Sequence, residues 1–583
     1  MAHNITFTSL PEEILLQIFT YVSDSINDTI SILSTSKKLH RIAKPLVCNT
    51  ILLPARKGWG FYESTDVRER INILTSNIDA IAPYIREFGL CQAEPVLEIR
   101  ESTEKLRISE ELAPVLAKIP VGQLRSFRWD IRADCPKSII SNLHTHQQNL
   151  ETIIIYHPSF DRISEPATFT RKLKTLVTGP KSFAFAIDLQ VFQNLRHLCI
   201  YGHVYTSIEA KQRLMNQLPT ALKTLKTFAM VNLTHGHQLW PLFSGVDTSV
   251  IKKSKKFMEV TYPYLEIFAY DDNAFGAMFS KHISLESISQ FPNLRALHSR
   301  FFLSSTLLSN FDPKVPIRLK TLEVQGCSIE ILSNFLLAFK GLQDLDVLVL
   351  LAEDYPDPAP ILHHAETLKR LVLWRVVRPS GRLPRLAPIP FTLMRSLGEG
   401  LGRLEEFCAT LPQEHDPFEG NLFPELKLLW LYNTDSSRPK IDTIPEYPWI
   451  PPTKDEIKSH PQWVIKNQTL QLDITAHPNL TIPKNLKALA IGHCSRVIDL
   501  EAETNSGSVI NFSRTERLYE LVREGNDTVI WRRIGMRELA RKYPDLLSPY
   551  EDTFGVPLMK RHCIFGSTER DGLLDPLEVL PNN

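Results

Sequence analysis

The sequence predicts an α/β chain in which a small helical N-terminal unit leads into a long, irregular solenoid of parallel strands. Three observations carry that expectation. The chain has 583 residues, too many for one compact core, so several domains or a repeat array are required. Residues 10–46 hold apolar side chains at helical spacing. From about residue 120 to residue 495 an L-x-x-L-x-L run keeps returning.

The first helix opens at Leu10-Pro11-Glu12-Glu13-Ile14-Leu15. Pro11 suits a first helical turn, where its missing N–H costs nothing, and Glu12 and Glu13 sit against the positive end of the helix dipole. Ile14, Leu15, Ile18, Phe19 and Val22 form an apolar stripe. A second short helix is expected over Ile26 to Leu33. Ser36 is placed to cap a third, with Leu39, Ile42, Ala43 and Leu46 on one face. By periodicity alone, three such helices are either a cap on the array that follows or a docking unit that gains stability from a partner.

The residues themselves are more specific. Leu10-Pro11-x-Glu13-Ile14, then Ile18-Phe19, then Thr35-Ser36-Lys37-Lys38-Leu39 and Lys44-Pro45-Leu46 resemble the F-box motif over about residues 7–50. The resemblance assigns residues 1–52 to an F-box. It implies a Skp-type adaptor as partner, anchored in turn to a cullin that carries a RING subunit and a ubiquitin-conjugating enzyme. It also implies that Leu10, Pro11, Ile14, Leu15, Ile18, Lys37 and Leu39 contact the adaptor. The family often has Trp where Leu39 and Val47 stand here, so two aromatic anchors are replaced by aliphatic residues.

The repeated run is clearest at Leu124-x-x-Phe127-x-Trp129, Leu150-x-x-Ile153-x-Ile155, Leu195-x-x-Leu198-x-Ile200, Leu319-x-x-Leu322-x-Val324, Leu342-x-x-Leu345-x-Val347, Leu368-x-x-Leu371-x-Leu373, Leu426-x-x-Leu429-x-Leu431 and Leu486-x-x-Leu489-x-Ile491. Weaker copies start at Leu173, Leu225, Leu265, Leu294 and Leu404. Many copies open about 22–30 residues apart, in the range of known repeats. Asn273, Cys327 and Cys494 take the ninth position, where a short polar side chain can bond to the turn that leaves a strand. Several copies are preceded by a polar residue or a Pro-Asn or Pro-Glu pair, as in Phe291-Pro292-Asn293 and Phe423-Pro424-Glu425. The pattern resembles the leucine-rich-repeat family over residues 121–495. One repeat cannot bury its own apolar face, so neighbours must stack and share a core.

On each strand the fourth and sixth positions should face the core, and the third, fifth and seventh the concave, solvent side. That reading yields a candidate substrate surface of Arg128, Tyr156, Tyr201, Arg300, Arg370, Trp374, Trp430 and Tyr432, with Ile154, His298, Glu323 and Gln325 beside them. Exposed Trp and Tyr on a rigid sheet would be binding anchors, and the arginines could grip a carboxylate or a phosphorylated target. Trp374, Trp430 and Tyr432 are expected to cluster, unless the proline-rich insertions cover them.

Those insertions run from Arg378-Pro379 to Pro390 and from Pro439 to Pro461. An earlier one holds Lys252-Lys253-Ser254-Lys255-Lys256, either a solvated loop or an import signal. Residues 53–120 are expected to be a helical linker and N-terminal cap. Residues 496–583 are expected to be a helical C-terminal cap, with helices near Thr515–Glu524 and Val529–Lys542.

No catalytic motif emerges: the sequence has no G-x-S-x-G, P-loop, H-E-x-x-H or G-x-G-x-x-G. His363-His364 reads as a surface pair rather than a metal site. The eight cysteines lack C-x-x-C spacing, which favours a reduced, intracellular protein. Lys+Arg 66 against Asp+Glu 65 argues against a global attraction to nucleic acid or membrane. The opening MAHNITFTSLPEE lacks a signal-peptide pattern, and no run is apolar enough to span a bilayer. The expectation is a cytoplasmic or nuclear recognition protein without cofactor, metal or intrinsic activity. It would be the substrate receptor of a Skp–cullin–F-box ubiquitin ligase, with a protein target on the solenoid. The alternative is a non-ligase scaffold that uses the adaptor as a structural subunit.

Overall fold

The structure, a computed structural model, describes residues 10–22, 35–55, 64–92, 111–130, 135–155, 172–178, 189, 192–202, 216–218, 220–232, 261–271, 287–350, 354–377, 385–410, 422–432, 483–491, 517–524, 528–533 and 542–543. The chain is α/β and divides into two compact units, one built chiefly from Met1–Leu233 and one chiefly from Thr234–Asp552. The expected second helix, the 252–256 basic run, the 439–461 insertion, Asn273 and Cys494 lie outside the described residues. Among the described residues no helix is long and apolar enough to cross a membrane.

Unit 1 opens with helices α1 (Glu12–Val22) and α2 (Lys37–Val47). Pro11 lies just ahead of α1, where its carbonyl accepts the Leu15 N–H at 3.1 Å. Ser36 caps α2 as the sequence predicts, its hydroxyl accepting the Leu39 N–H at 3.2 Å. Leu15, Phe19, Leu39, Ile42 and Ala43 form the core between the two helices, and Leu10, Ile18 and Leu46 pack at its margin. Lys38 Nζ donates to the Leu10 carbonyl at 3.0 Å, and Arg41 pairs with Glu12, tying the start of α1 to α2.

The sheet of unit 1 is parallel throughout: β1 (Thr50–Ala55), β2 (Glu87–Gln92), β3 (Ser126–Asp130), β4 (Thr152–Ile155), β5 (Thr175–Thr178), β6 (His197–Gly202) and β7 (Thr227–Asn232) pair in chain order. Helices α3 (Ser64–Ile81) and α4 (Lys137–His146) stand in the crossovers before β2 and β4. The register aligns Phe88, Phe127, Ile153, Leu176, Leu198 and Phe228, so the fourth positions of the sequence repeat stand side by side. All six are buried.

The 53–120 expectation needs correction here. That stretch holds half of β1 and all of β2 as well as α3, so the sheet starts earlier than residue 121. Ile85-x-x-Phe88-x-Leu90 is a repeat in which Ile and Phe replace leucine, and its apolar positions are buried like the rest. Gly89 is required on β2, since a Cβ there would stand 2.1 Å from the Arg128 carbonyl oxygen of β3.

Unit 2 continues the plan with β8 (Ile267–Asp271), β9 (Ala296–Arg300), α5 (Phe301–Ser309), β10 (Thr321–Gln325), α6 (Ile329–Leu337), β11 (Asp344–Leu350), α7 (Pro358–Leu362) and β12 (Arg370–Val377). Then follow β13 (Arg385–Leu386), α8 (Phe391–Gly400), β14 (Glu406–Thr410), β15 (Leu428–Tyr432) and β16 (Ala488–Ile491). These strands pair in parallel except β13, which folds back antiparallel on the end of β12. Phe268, Leu297, Leu322, Leu345, Leu371, Phe407, Leu429 and Leu489 share one row.

The C-terminal helices predicted by the sequence are replaced by a hairpin. β17 (Arg517–Glu524) and β18 (Thr528–Arg533) are antiparallel, and β17 pairs with β16. Gly525-Asn526-Asp527 is a turn signal and Thr528-Val529-Ile530-Trp531 a β-prone run, and both outweigh the helix-like spacing of the basic residues. The hairpin still does what a cap must do, covering the open edge of β16.

Side chains from one repeat satisfy the backbone of the one before it. Asn149, Asn293 and Asn485 each precede a first leucine and donate to the Gly122, Pro263 and Pro424 carbonyls at 2.7, 2.7 and 3.4 Å. Gln147 accepts the Leu124 N–H at 3.0 Å and donates to the Ile119 and Pro120 carbonyls. His364 fills the same role in unit 2. Its Nδ1 accepts the Leu342 N–H at 3.4 Å while Nε2 lies 3.0 Å from the Leu336 carbonyl. His364 is therefore a core residue, 1% exposed, and not half of a surface pair.

Those contacts require a neutral imidazole. Burial and then the His363 charge push the His364 pKa from 6.5 down to about 4, with a smaller push from Lys340 and the Leu336 carbonyl opposing. The unfolded chain takes up this proton near 6.5 while the folded chain refuses it until about 4, so stability is complete above 6.5 and declines as pH falls toward 4. His364→Gln keeps both hydrogen bonds, as Gln147 does. Thermal unfolding between about pH 7 and about pH 4.5 should show a shallower loss of Tm in the variant than in the wild type. Equal slopes would show that His364 does not contribute to the acid sensitivity.

Candidate functional site

The first candidate is the outer face of α1. Helical spacing turns Leu15 and Phe19 inward and leaves Ile14 and Leu16 outward, at 42% and 43% exposure. Pro11 and Lys37 are exposed, and Leu10 and Ile18 half-buried. Of the residues assigned to adaptor contact, Pro11, Ile14 and Lys37 are thus accessible, and Leu10 and Ile18 partly so. Leu15 and Leu39 are 0% and 4% exposed and build the helix-pair core instead. Leu16 was not among the sequence candidates, because a strict apolar stripe passes over it. Two large aliphatic side chains are thus exposed on an eleven-residue helix, which makes this face a candidate for docking.

The second candidate is the sheet face formed by the third and fifth strand positions, and here the geometry changes the reading. Arg128 does not project toward a ligand. Its Nε donates to Glu87 Oε1 at 2.6 Å, and the Ser126 hydroxyl donates to the same oxygen at 3.2 Å. Arg370 is engaged on both sides: Nη1 to Asp344 Oδ1 at 2.9 Å and Nε to Glu406 Oε1 at 2.8 Å, with 12% of its side chain exposed. Thr321 extends the row, its hydroxyl donating to Asp344 Oδ2 at 2.9 Å. Burial alone would lower the Arg370 pKa, but Glu406 and Asp344 outweigh it and hold the guanidinium charged. In the next column His298 Nδ1 lies 3.1 Å from Glu323 Oε2, both buried.

Trp374, expected on the solvent side, is 3% exposed. The chain returns just beyond it, where β13 pairs with Val376 and Val377 and the Ala387 N–H donates to the Arg375 carbonyl at 2.8 Å. Residues 385–387, toward the end of the proline-rich insertion, thus lie alongside the end of β12. Trp430 is aligned through Cys408 with Val372, two residues before Trp374, while Tyr432 stands opposite Thr410. Tyr201 stands opposite Val231 and Arg300 opposite Gln325. The side chains of Tyr201, Arg300, Trp430 and Tyr432, and all of Tyr156, lie outside the described residues.

Ile154, Val177, Cys199, Ala229 and Cys408, also at fifth positions, are buried. Parallel strands about 4.8 Å apart hold same-position side chains shoulder to shoulder, so small and medium residues are shielded by their neighbours. Among the described residues no group of His, Cys, Asp and Glu could hold a metal ion. Cys48 is buried and its thiol is pushed up to about 11 by desolvation, against a smaller opposing pull from Lys44.

No known protein family matches the chain, and no curated protein matches it.

Because Arg370 holds two buried carboxylates, its removal should be costly. Arg370→Ala leaves Asp344 and Glu406 without that cation and should destabilise unit 2 by about 3–5 kcal/mol. Arg370→Lys should recover only part of this, since a single ammonium cannot reproduce the two-sided fork. Urea denaturation combined with amide exchange in β11, β12 and β14 reads both effects. A loss below about 0.5 kcal/mol for the alanine variant would show that the network is dispensable.

Proposed function

We propose that the chain is the substrate receptor of a Skp–cullin–F-box ubiquitin ligase. In this reading α1 and α2 belong to an F-box that docks a Skp-type adaptor and, through it, a cullin. The repeated strands belong to a leucine-rich-repeat scaffold that holds a protein target. The observation that carries the proposal is the pairing of motif and exposure in α1. The Leu10-Pro11-x-Glu13-Ile14 run leaves Ile14 and Leu16 in solvent on a helix whose opposite side is anchored by Leu15 and Phe19. Two exposed aliphatic side chains on one helix suit a docking contact.

The receptor contributes no bond-making group of its own. It raises the local concentration of the target beside a partner enzyme that carries ubiquitin, and rate follows from proximity. No cofactor, nucleic acid or membrane is required, and the reaction belongs in the cytoplasm or nucleus.

The test separates docking from folding. Tagged full-length chain is co-purified with a Skp-type adaptor and cullin, beside Ile14→Asp/Leu16→Asp and, separately, Leu15→Ala. The exposed pair should cut adaptor recovery at least about tenfold with the helical circular-dichroism signal unchanged. Leu15→Ala should cost about 2–5 kcal/mol and act through the fold. Full adaptor recovery by the exposed-pair variant would overturn the proposed contact. Adaptor without cullin would favour the non-ligase scaffold.

A further inference from the structure

The residues just before strands β2 to β7 of unit 1 form a second, independent pattern. Arg86, Arg125, Glu151, Lys174, Arg196 and Lys226 precede β2 to β7 in turn. An unbroken backbone ladder fixes them in line. Arg125 N–H donates to the Arg86 carbonyl, Glu151 to Arg125, Lys174 to Glu151, Arg196 to Lys174 and Lys226 to Arg196, at 2.7 to 2.9 Å. The row therefore holds five cations and one carboxylate, in a chain whose net formal charge is only +1. Neighbours stand about 4.8 Å apart, so the row extends over about 24 Å.

Compensation inside the row is partial. Glu151 serves Lys174 at 2.6 Å and Arg125 at 3.5 Å. Arg86 and Arg196 donate instead to backbone carbonyls, of Pro83 and Leu195, which carry no countercharge. Lys172 and Lys223, both exposed, flank the row and add to its sign. The contrast with the sheet face is one of exposure: Arg128 is half-buried against Glu87, whereas Arg86, Arg125, Lys174 and Lys226 are exposed and Arg196 is half-buried.

We propose that this strand-leading edge of unit 1 is a docking surface for an acidic segment of a partner protein, lying across the strands in extended form. Charge complementarity over a fixed row steers association and sets register. A single-stranded nucleic acid fits less well, because it needs aromatic rings for its bases beside the cations. Tyr84, two residues before Arg86, already lies under Lys44 at 5.9 Å, and Phe192, four residues before Arg196, is half-buried. The surface does not depend on the adaptor reading of α1.

Fluorescence anisotropy on the full chain tests it, with a labelled oligoglutamate of about eight to twelve residues as probe. Oligolysine and oligothymidylate of similar length serve as comparators. The row variant is Arg86→Glu/Arg196→Glu/Lys226→Glu. The control makes the same charge change elsewhere, Lys118→Glu/Lys314→Glu/Lys340→Glu. Oligoglutamate should bind the wild type in a salt-dependent manner, lose at least about tenfold in the row variant and less than about threefold in the control. Should the row variant melt early, the neutral set Arg86→Gln/Arg196→Gln/Lys226→Gln carries the same comparison. Absence of oligoglutamate binding at low salt, or equal loss in row and control variants, overturns the proposal. Tighter binding of oligothymidylate with loss in the row variant also overturns it and assigns the edge to nucleic acid.

Discussion

Everything in this chain depends on the fact that no repeat can satisfy itself. A single strand-and-crossover segment leaves one edge of its backbone without partners and one apolar face without cover. The solution is to borrow from the next segment, and the loans are specific. Strand amides bond to the neighbouring strand, the fourth-position side chains pack in one row, and Asn149, Asn293 and Asn485 reach back to carbonyls one repeat earlier. Gln147 and His364 do the same for a buried N–H that the sheet cannot reach. An array held this way must be closed at its end, and the β17–β18 hairpin does that for β16.

The same stacking decides where charge can be placed. On the sheet face, side chains at one position are pressed between copies of themselves, so an arginine there is partly desolvated and must find acid nearby. Glu87 supplies it for Arg128, and Asp344 with Glu406 for Arg370. Such pairs position strands well but are poor ligands for anything else, because a partner would have to displace a short, partly buried hydrogen bond. Just before each strand the chain is still at the rim, where long side chains reach water more easily. Position along the repeat thus separates the paired, largely buried Arg370 from an exposed rim residue such as Arg86.

The sequence made the periodic part of this legible and the contextual part opaque. The L-x-x-L-x-L runs locate strands β3 to β12 and β14 to β16, and Ser36 and Leu39 locate the start of α2, because both signals are local. β2 escaped notice because Ile85 and Phe88 do the work of leucines, which physics allows and a letter pattern does not. At the C-terminus the spacing of Trp531, Ile534 and Leu539 against the basic residues predicts a helix, while the deciding influence is the open edge of β16, far away in sequence. Trp374 is buried although alternation predicts an exposed anchor, because alternation tells which side a residue faces but not what lies over it. The acids that neutralise Arg128 and Arg370 lie 41, 26 and 36 residues away and become visible only in the register.

The helix pair at the N-terminus follows the opposite logic from the array. Its core of Leu15, Phe19, Leu39, Ile42 and Ala43 is small, and a unit of this size is marginal without further burial. The array meets that difficulty by adding neighbours, whereas α1 leaves Ile14 and Leu16 uncovered on its outer side. Covering them would stabilise the pair by about 25 cal/mol for each Å² of apolar surface removed from water. A partner seated there would therefore strengthen the fold it binds, and substitutions in the core and on the outer face must act differently. Core changes weaken the helix pair whether or not a partner is present. Changes on the outer face matter only when the partner is.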